Sequence, residues 1–124
     1  MIRHNEVILL NEIIKATYGI QDYDCMRESF LERLGALIPY QQSSFYLASI
    51  QKEHILDKPV GVGISKQELY RYIEKYEDKD YTRWIFMSGK TIVYRETDLI
   101  PDQVRSQSEY YQEVYVPSKM YYSA

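Results

Sequence analysis

The chain has 124 residues, 15 Lys and Arg against 18 Asp and Glu, and 45% hydrophobic residues, which is the material of one globular domain and too little for a second. Its basic residues are scattered, which excludes the electrostatic footprint of a nucleic-acid binder. Its longest apolar run, Val7 to Leu10, falls far short of the roughly 20 residues that span a bilayer. A lone Cys25 and the lack of a signal-peptide succession predict a cytoplasmic protein without disulfides, direct nucleic-acid contact or a membrane partner. The abnormal number is tyrosine, with 14 Tyr beside 3 Phe and 1 Trp.

In chain order, Asn5 is placed to cap a helix from Glu6 to Tyr18 whose apolar arc contains Val7, Leu10, Ile13 and Ile14. That arc is wider than a surface helix needs, so these four residues are candidates for a dimerisation face. Met26, Phe30, Leu34, Leu37 and Ile38 at helical spacing predict a second helix from Asp24 to Ile38, broken by Pro39. Ser43 to Ile50 reads as a strand, Gln51-Lys52-Glu53 as a turn, and a second extended segment ends in Val60-Gly61-Val62-Gly63-Ile64. Side chains there alternate with bare glycines, which implies close approach of another group to the glycine face.

Ser65-Lys66-Gln67-Glu68 has capping-box spacing and predicts a helix from Lys66 to Glu77, with Leu69, Tyr72, Ile73 and Tyr76 on one face. Asp80 is placed to cap a short helix from Tyr81 to Met87, which Ser88-Gly89 ends. Thr91 to Tyr94 reads as a strand and Asp98 to Asp102 as a turn. Ser106 to Glu109 repeats the capping spacing before Tyr110, Tyr111, Val114 and Tyr115. Met120 to Ala124 reads as the opening of a further strand.

Catalytic constellations are sparse. His4 and His54 lie in different segments without a carboxylate or Cys at motif spacing, so no metal, cofactor or nucleophile and base pair is implied. Cys25 reads as a small buried helix residue. The glycines at Gly61 and Gly63 lack the third glycine of a dinucleotide fingerprint, and the Glu in the following cap opposes a phosphate. What remains is aromatic. Tyr72, Tyr76, Asp80, Tyr81 and Trp84 concentrate ring faces, hydroxyls and one carboxylate within thirteen residues, which is either the lining of a small-molecule pocket or an ordinary core layer.

Four stretches, FLERLGALIPYQQSSF (Phe30 to Phe45), YRYIEKYEDKDYTRW (Tyr70 to Trp84), YRETDL (Tyr94 to Leu99) and SEYYQEVYVP (Ser108 to Pro117), give the chain a resemblance to a known family. It resembles the GAF-like sensory domain that precedes the helix-turn-helix in LuxR-type transcriptional regulators. The resemblance departs where Tyr81 follows Asp80 in place of the family's proline. It implies an α+β fold of GAF/PAS-like type, an antiparallel sheet with helices packed on it. Residues 1–20 would be an apolar dimerisation helix, residues 21–124 the sheet and helices, and the last strands would be missing from the C-terminus.

It further implies a non-catalytic sensory domain that binds a small acyl or aromatic ligand and forms a homodimer. Tyr46, Tyr72, Tyr76, Tyr81, Trp84 and Tyr94 would supply the walls of the site, with Asp80 as polar anchor. A ligand-free dimerisation module, its tyrosines filling a core and an interface, is the second reading. The tyrosines near the C-terminus are expected at an interface.

Overall fold

The computed structural model describes residues 1–19, 22–49 and 55–123, so Ile50, the turn at Gln51-Lys52-Glu53, His54 and Ala124 lie outside the described residues. The protein is mixed α+β, and its described residues form one two-stranded antiparallel sheet. It divides into two compact units, one of residues 1–47 and 56–72, the other of residues 48–55 and 73–124.

In the first unit, helix α1 (His4–Gly19) packs on helix α2 (Tyr23–Leu37). Helix α1 starts earlier than the Asn5 cap predicts, because the Glu6 carboxylate reaches back to accept from the Arg3 backbone N–H at 2.7 Å and secures the first turn. Ile13 and Ala16 turn into the core, and Glu12 meets Arg33 of α2 at 3.2 Å. Val7, Leu10 and Ile14 stay exposed, whereas Ile13 is buried and does not share the exposed face predicted for all four. Helix α2 begins one residue before the predicted Asp24, since Asp22 is the cap and accepts from the Cys25 N–H at 2.9 Å. Cys25 is exposed rather than buried, and its hydrogen bond to Asp22 raises the thiol pKa above its ordinary value, which disfavours the reactive thiolate.

Strands β1 (Ser43–Ala48) and β2 (Leu56–Val62) form the hairpin, with both α2 and helix α3 (Lys66–Arg71) packed on β2. The predicted close approach to the glycines is present. A Cβ at Gly61 would lie 2.6 Å from the Ile64 side chain and 2.9 Å from that of Leu69, so Gly61 leaves the space those two residues fill. Gly63 has φ +76 and would drive a Cβ into the Gln41 carbonyl oxygen. Ser65 caps α3 as its spacing requires, accepting from the Glu68 N–H at 3.2 Å.

The predicted helix to Glu77 does not remain α-helical. After Arg71 the backbone widens into a π turn (Tyr72–Tyr76) and tightens into a 3-10 turn (Glu77–Lys79). The second unit continues with helix α4 (Arg83–Met87), α5 (Glu96–Leu99), α6 (Asp102–Gln107) and a π turn (Tyr111–Tyr115). Gly89, at φ +66, is the helix stop predicted after α4.

Four expectations fail in this unit. Thr91 to Tyr94 is irregular and forms no strand among the described residues, leaving Val93 99% exposed. The Asp98 to Asp102 turn is shorter than predicted and flanked by α5 and α6, with Pro101 as the α6 cap residue. The cap predicted at Ser106 is made by Ser108, whose hydroxyl accepts from the Tyr111 N–H at 3.2 Å, while Ser106 donates to the Gln103 carbonyl. The residues from Met120 to Ser123 are also irregular.

Candidate functional site

Two clusters hold the chemistry, one in each unit. In the first, the opening turns of α2, strand β2 and helix α3 enclose a groove of about 680 Å³. Helix α2 contributes Asp22, Asp24 and Glu28 to its lining, and β2 and α3 contribute Lys58 and Lys66. Asp22 is committed to its cap, and the Cys25 N–H it accepts holds its carboxyl below the ordinary range. Tyr23 and Tyr70 add exposed aromatic edges, and the buried Pro59 and Leu69 an apolar base.

Arg27 anchors this cluster. It is 1% exposed, yet lines the groove. Its guanidinium donates to the carbonyls of Phe45 and Lys58, pairs with Asp24 at 2.7 Å and stands 5.6 Å from the Phe45 ring centroid. The Nε of Arg27 has no hydrogen-bond partner among the described residues. Lys58, whose carbonyl Arg27 holds, adopts φ +45, a left-handed conformation that a non-glycine residue keeps only when its surroundings fix it. The Asp57 carboxylate accepts from the Lys58 N–H at 2.8 Å and braces the same bend.

The second unit contains a buried carboxylate hub. Glu96 is 0% exposed and accepts from the hydroxyls of Tyr81 and Tyr115, both at 2.7 Å, the Ser123 hydroxyl at 3.0 Å and the Ser123 N–H at 3.1 Å. Arg105, 2% exposed, neutralises it at 2.9 Å, pairs with Asp102 and donates to the Tyr121 carbonyl. The rings of Tyr111 and Tyr122 each lie 4.9 Å from the Arg105 guanidinium carbon. Burial raises the Tyr81 phenol pKa, and the bond to Glu96 adds to the shift. Burial likewise raises that of Tyr115, followed by the neighbouring Tyr110. For Arg105, burial works against the charged form but is outweighed by the bonds to Asp102 and Tyr81, so its pKa rises.

The residues predicted to form one pocket are distributed between the units. Tyr46 and Tyr72 pack together in the first, ring centroids 5.8 Å apart. In the second, Lys79 stands over the Tyr76 ring, and Tyr81 meets Tyr110 edge-on while serving the hub. Asp80 accepts from the Thr82 N–H and hydroxyl at 2.8 and 2.7 Å, so it closes a turn before α4 rather than capping a helix at Tyr81. Trp84 is 54% exposed. Burial raises the Tyr94 phenol pKa against a bond to Thr82 that lowers it. The C-terminal tyrosines also divide. Tyr110 and Tyr115 are buried in the core of their unit, whereas Tyr121 and Tyr122 are exposed.

Sequence reasoning missed Arg27, Glu96 and Arg105. Periodicity offers no signal for them, because each is a charged residue inside a segment whose apolar neighbours set the pattern. The Asp24/Arg27 and Asp102/Arg105 pairs at i, i+3 were readable, but that spacing usually marks an exposed helix face. Among the described residues no group of three or more His, Cys, Asp and Glu side chains could hold a metal ion, and no helix is long and apolar enough to cross a membrane. Compared with known proteins, the chain matches no protein-family model, no curated protein and no solved structure.

Proposed function

We propose that this chain is a non-catalytic sensory domain of GAF/PAS-like type, which binds a small molecule and signals as a homodimer within a bacterial-type transcriptional regulator. The observation that carries this reading is the groove of about 680 Å³ between α2, β2 and α3, within the range of roughly 300 to 1,000 Å³ common to small-molecule sites. It joins a buried base, aromatic edges and a few charged groups, the mixture that holds and orients a ligand. The site therefore moves from the aromatic stretch around Trp84 to the first unit. Signalling to a partner falls to α1, whose exposed Val7, Leu10 and Ile14 at i, i+3, i+7 form one apolar stripe suited to a second copy of the helix.

A screen of small-molecule fragments, with hits mapped on the backbone amides of Lys58, Val60, Gly61 and Tyr70, tests the groove. Binding there supports sensing, and a screen without a groove hit contradicts it. Analytical ultracentrifugation tests the dimer. Leu10→Glu places a charge in the stripe and is expected to yield a monomer, whereas an unchanged sedimentation profile removes α1 from the interface.

The same stripe is the specific observation behind the second reading, a ligand-free dimerisation module. That reading gains if Leu10→Glu breaks a dimer while the groove stays empty across the screen.

A further inference from the structure

The charges around the groove separate by element. Apart from the buried Arg27, helix α2 and its cap bring acid, while β2 and α3 bring base. Among the described residues the side chains of Glu28, Lys58 and Lys66 make no hydrogen bond or ion pair, although they line one space. An anion site would concentrate the bases and omit Glu28, and a cation site would do the reverse. Uncommitted charge of both signs fits a molecule that itself carries both. Among the described residues, Asp24 is the one carboxylate paired with the buried Arg27, and the Arg27 Nε has no acceptor. Leu69, Tyr23 and Tyr70 offer apolar and aromatic surface beside these groups.

We propose, on the reading that this groove is the sensory site, that its ligand is a zwitterion of dipeptide size with apolar side chains. The ammonium is drawn to Glu28, the carboxylate to Lys58 and Lys66, and the side chains rest on Leu69 and Tyr70. The volume exceeds the needs of one free amino acid and admits two linked residues. Because the charged groups are solvent-accessible, the selectivity comes from requiring both ends at once rather than from one strong pair.

Calorimetric titration with leucyl-tyrosine, its N-acetyl derivative and its C-terminal amide tests the assignment, with the groove amides followed by NMR. The free dipeptide is expected to bind and move the amides of Lys58, Val60, Gly61 and Tyr70, and each capped form to bind about tenfold more weakly. Glu28→Gln and Lys66→Gln are exposed substitutions that leave the fold intact and should each weaken the free dipeptide roughly threefold. Glu28→Gln should cost the N-acetyl form nothing further, since that form has no ammonium to lose. Equal affinity for free and capped dipeptides overturns the zwitterion. Should leucyl-tyrosine leave the groove amides unmoved while uncharged fragments move them, the ligand class falls and sensing stands. If neither set moves them, both fall.

Discussion

Both oxygens of the Glu96 carboxylate have donors and Arg105 is closed in by Tyr111 and Tyr122, whereas the side chains of Glu28, Lys58 and Lys66 border an open groove and make no hydrogen bond or ion pair among the described residues. Burial makes the first arrangement compulsory. A carboxylate and a guanidinium removed from water are costly unless paired and hydrogen-bonded, so the hub's charge is committed to holding its own unit together. The groove charges carry no such obligation. They remain hydrated and available, which is the condition a binding surface needs and a core cannot meet.

The largest expected effect falls on the hub. Glu96→Ala strands Arg105 and several donors in a buried site and is expected to cost about 3 to 5 kcal/mol in urea unfolding, while a cost under about 1 kcal/mol breaks the contrast between the units. Next comes alkaline pH. The raised phenol pKa values of Tyr81 and Tyr115 mean that the unfolded chain releases these protons first, near the ordinary tyrosine pKa of about 10. Their contribution is present in full below that pH and is lost as pH climbs toward the folded values. Tyr81→Phe should reduce this alkaline loss and cost about 1 kcal/mol at neutral pH, measured by unfolding at pH 7 and pH 11. The smallest effect belongs to Trp84→Ala. Its exposure predicts a change within about 0.5 kcal/mol, and a larger loss would return Trp84 to a structural or binding role.

Local signals in the sequence reached as far as local physics does. The Ser65 cap, the glycine face at Gly61 and Gly63 and the helical run of α2 each depend on residues a few positions apart, and each is present with at most a small shift of boundary, although the residues α2 buries are Arg27 and Leu31 and the predicted Ile38 is exposed. Glu96 could not be read this way, because its partners Tyr81, Arg105, Tyr115 and Ser123 are separated from it by 9 to 27 positions. The tyrosine excess was the visible trace of that hub. It pointed to a pocket around Tyr81 and Trp84, but the hydroxyl of Tyr81 is engaged by a buried acid and the Trp84 ring faces largely outward. Thr91 to Tyr94 fails for the opposite reason. Its β-branched residues favour a strand, yet a strand needs a partner, and none of the described residues supplies one.

A residue-by-residue NMR map of the protein against a mixture of charged and uncharged fragments tests the division between groove and hub most directly. Shifts are expected at Arg27, Lys58, Val60, Gly61 and Tyr70, with the amides of Tyr81, Glu96 and Tyr115 unmoved. Shifts at the hub with a silent groove would contradict it.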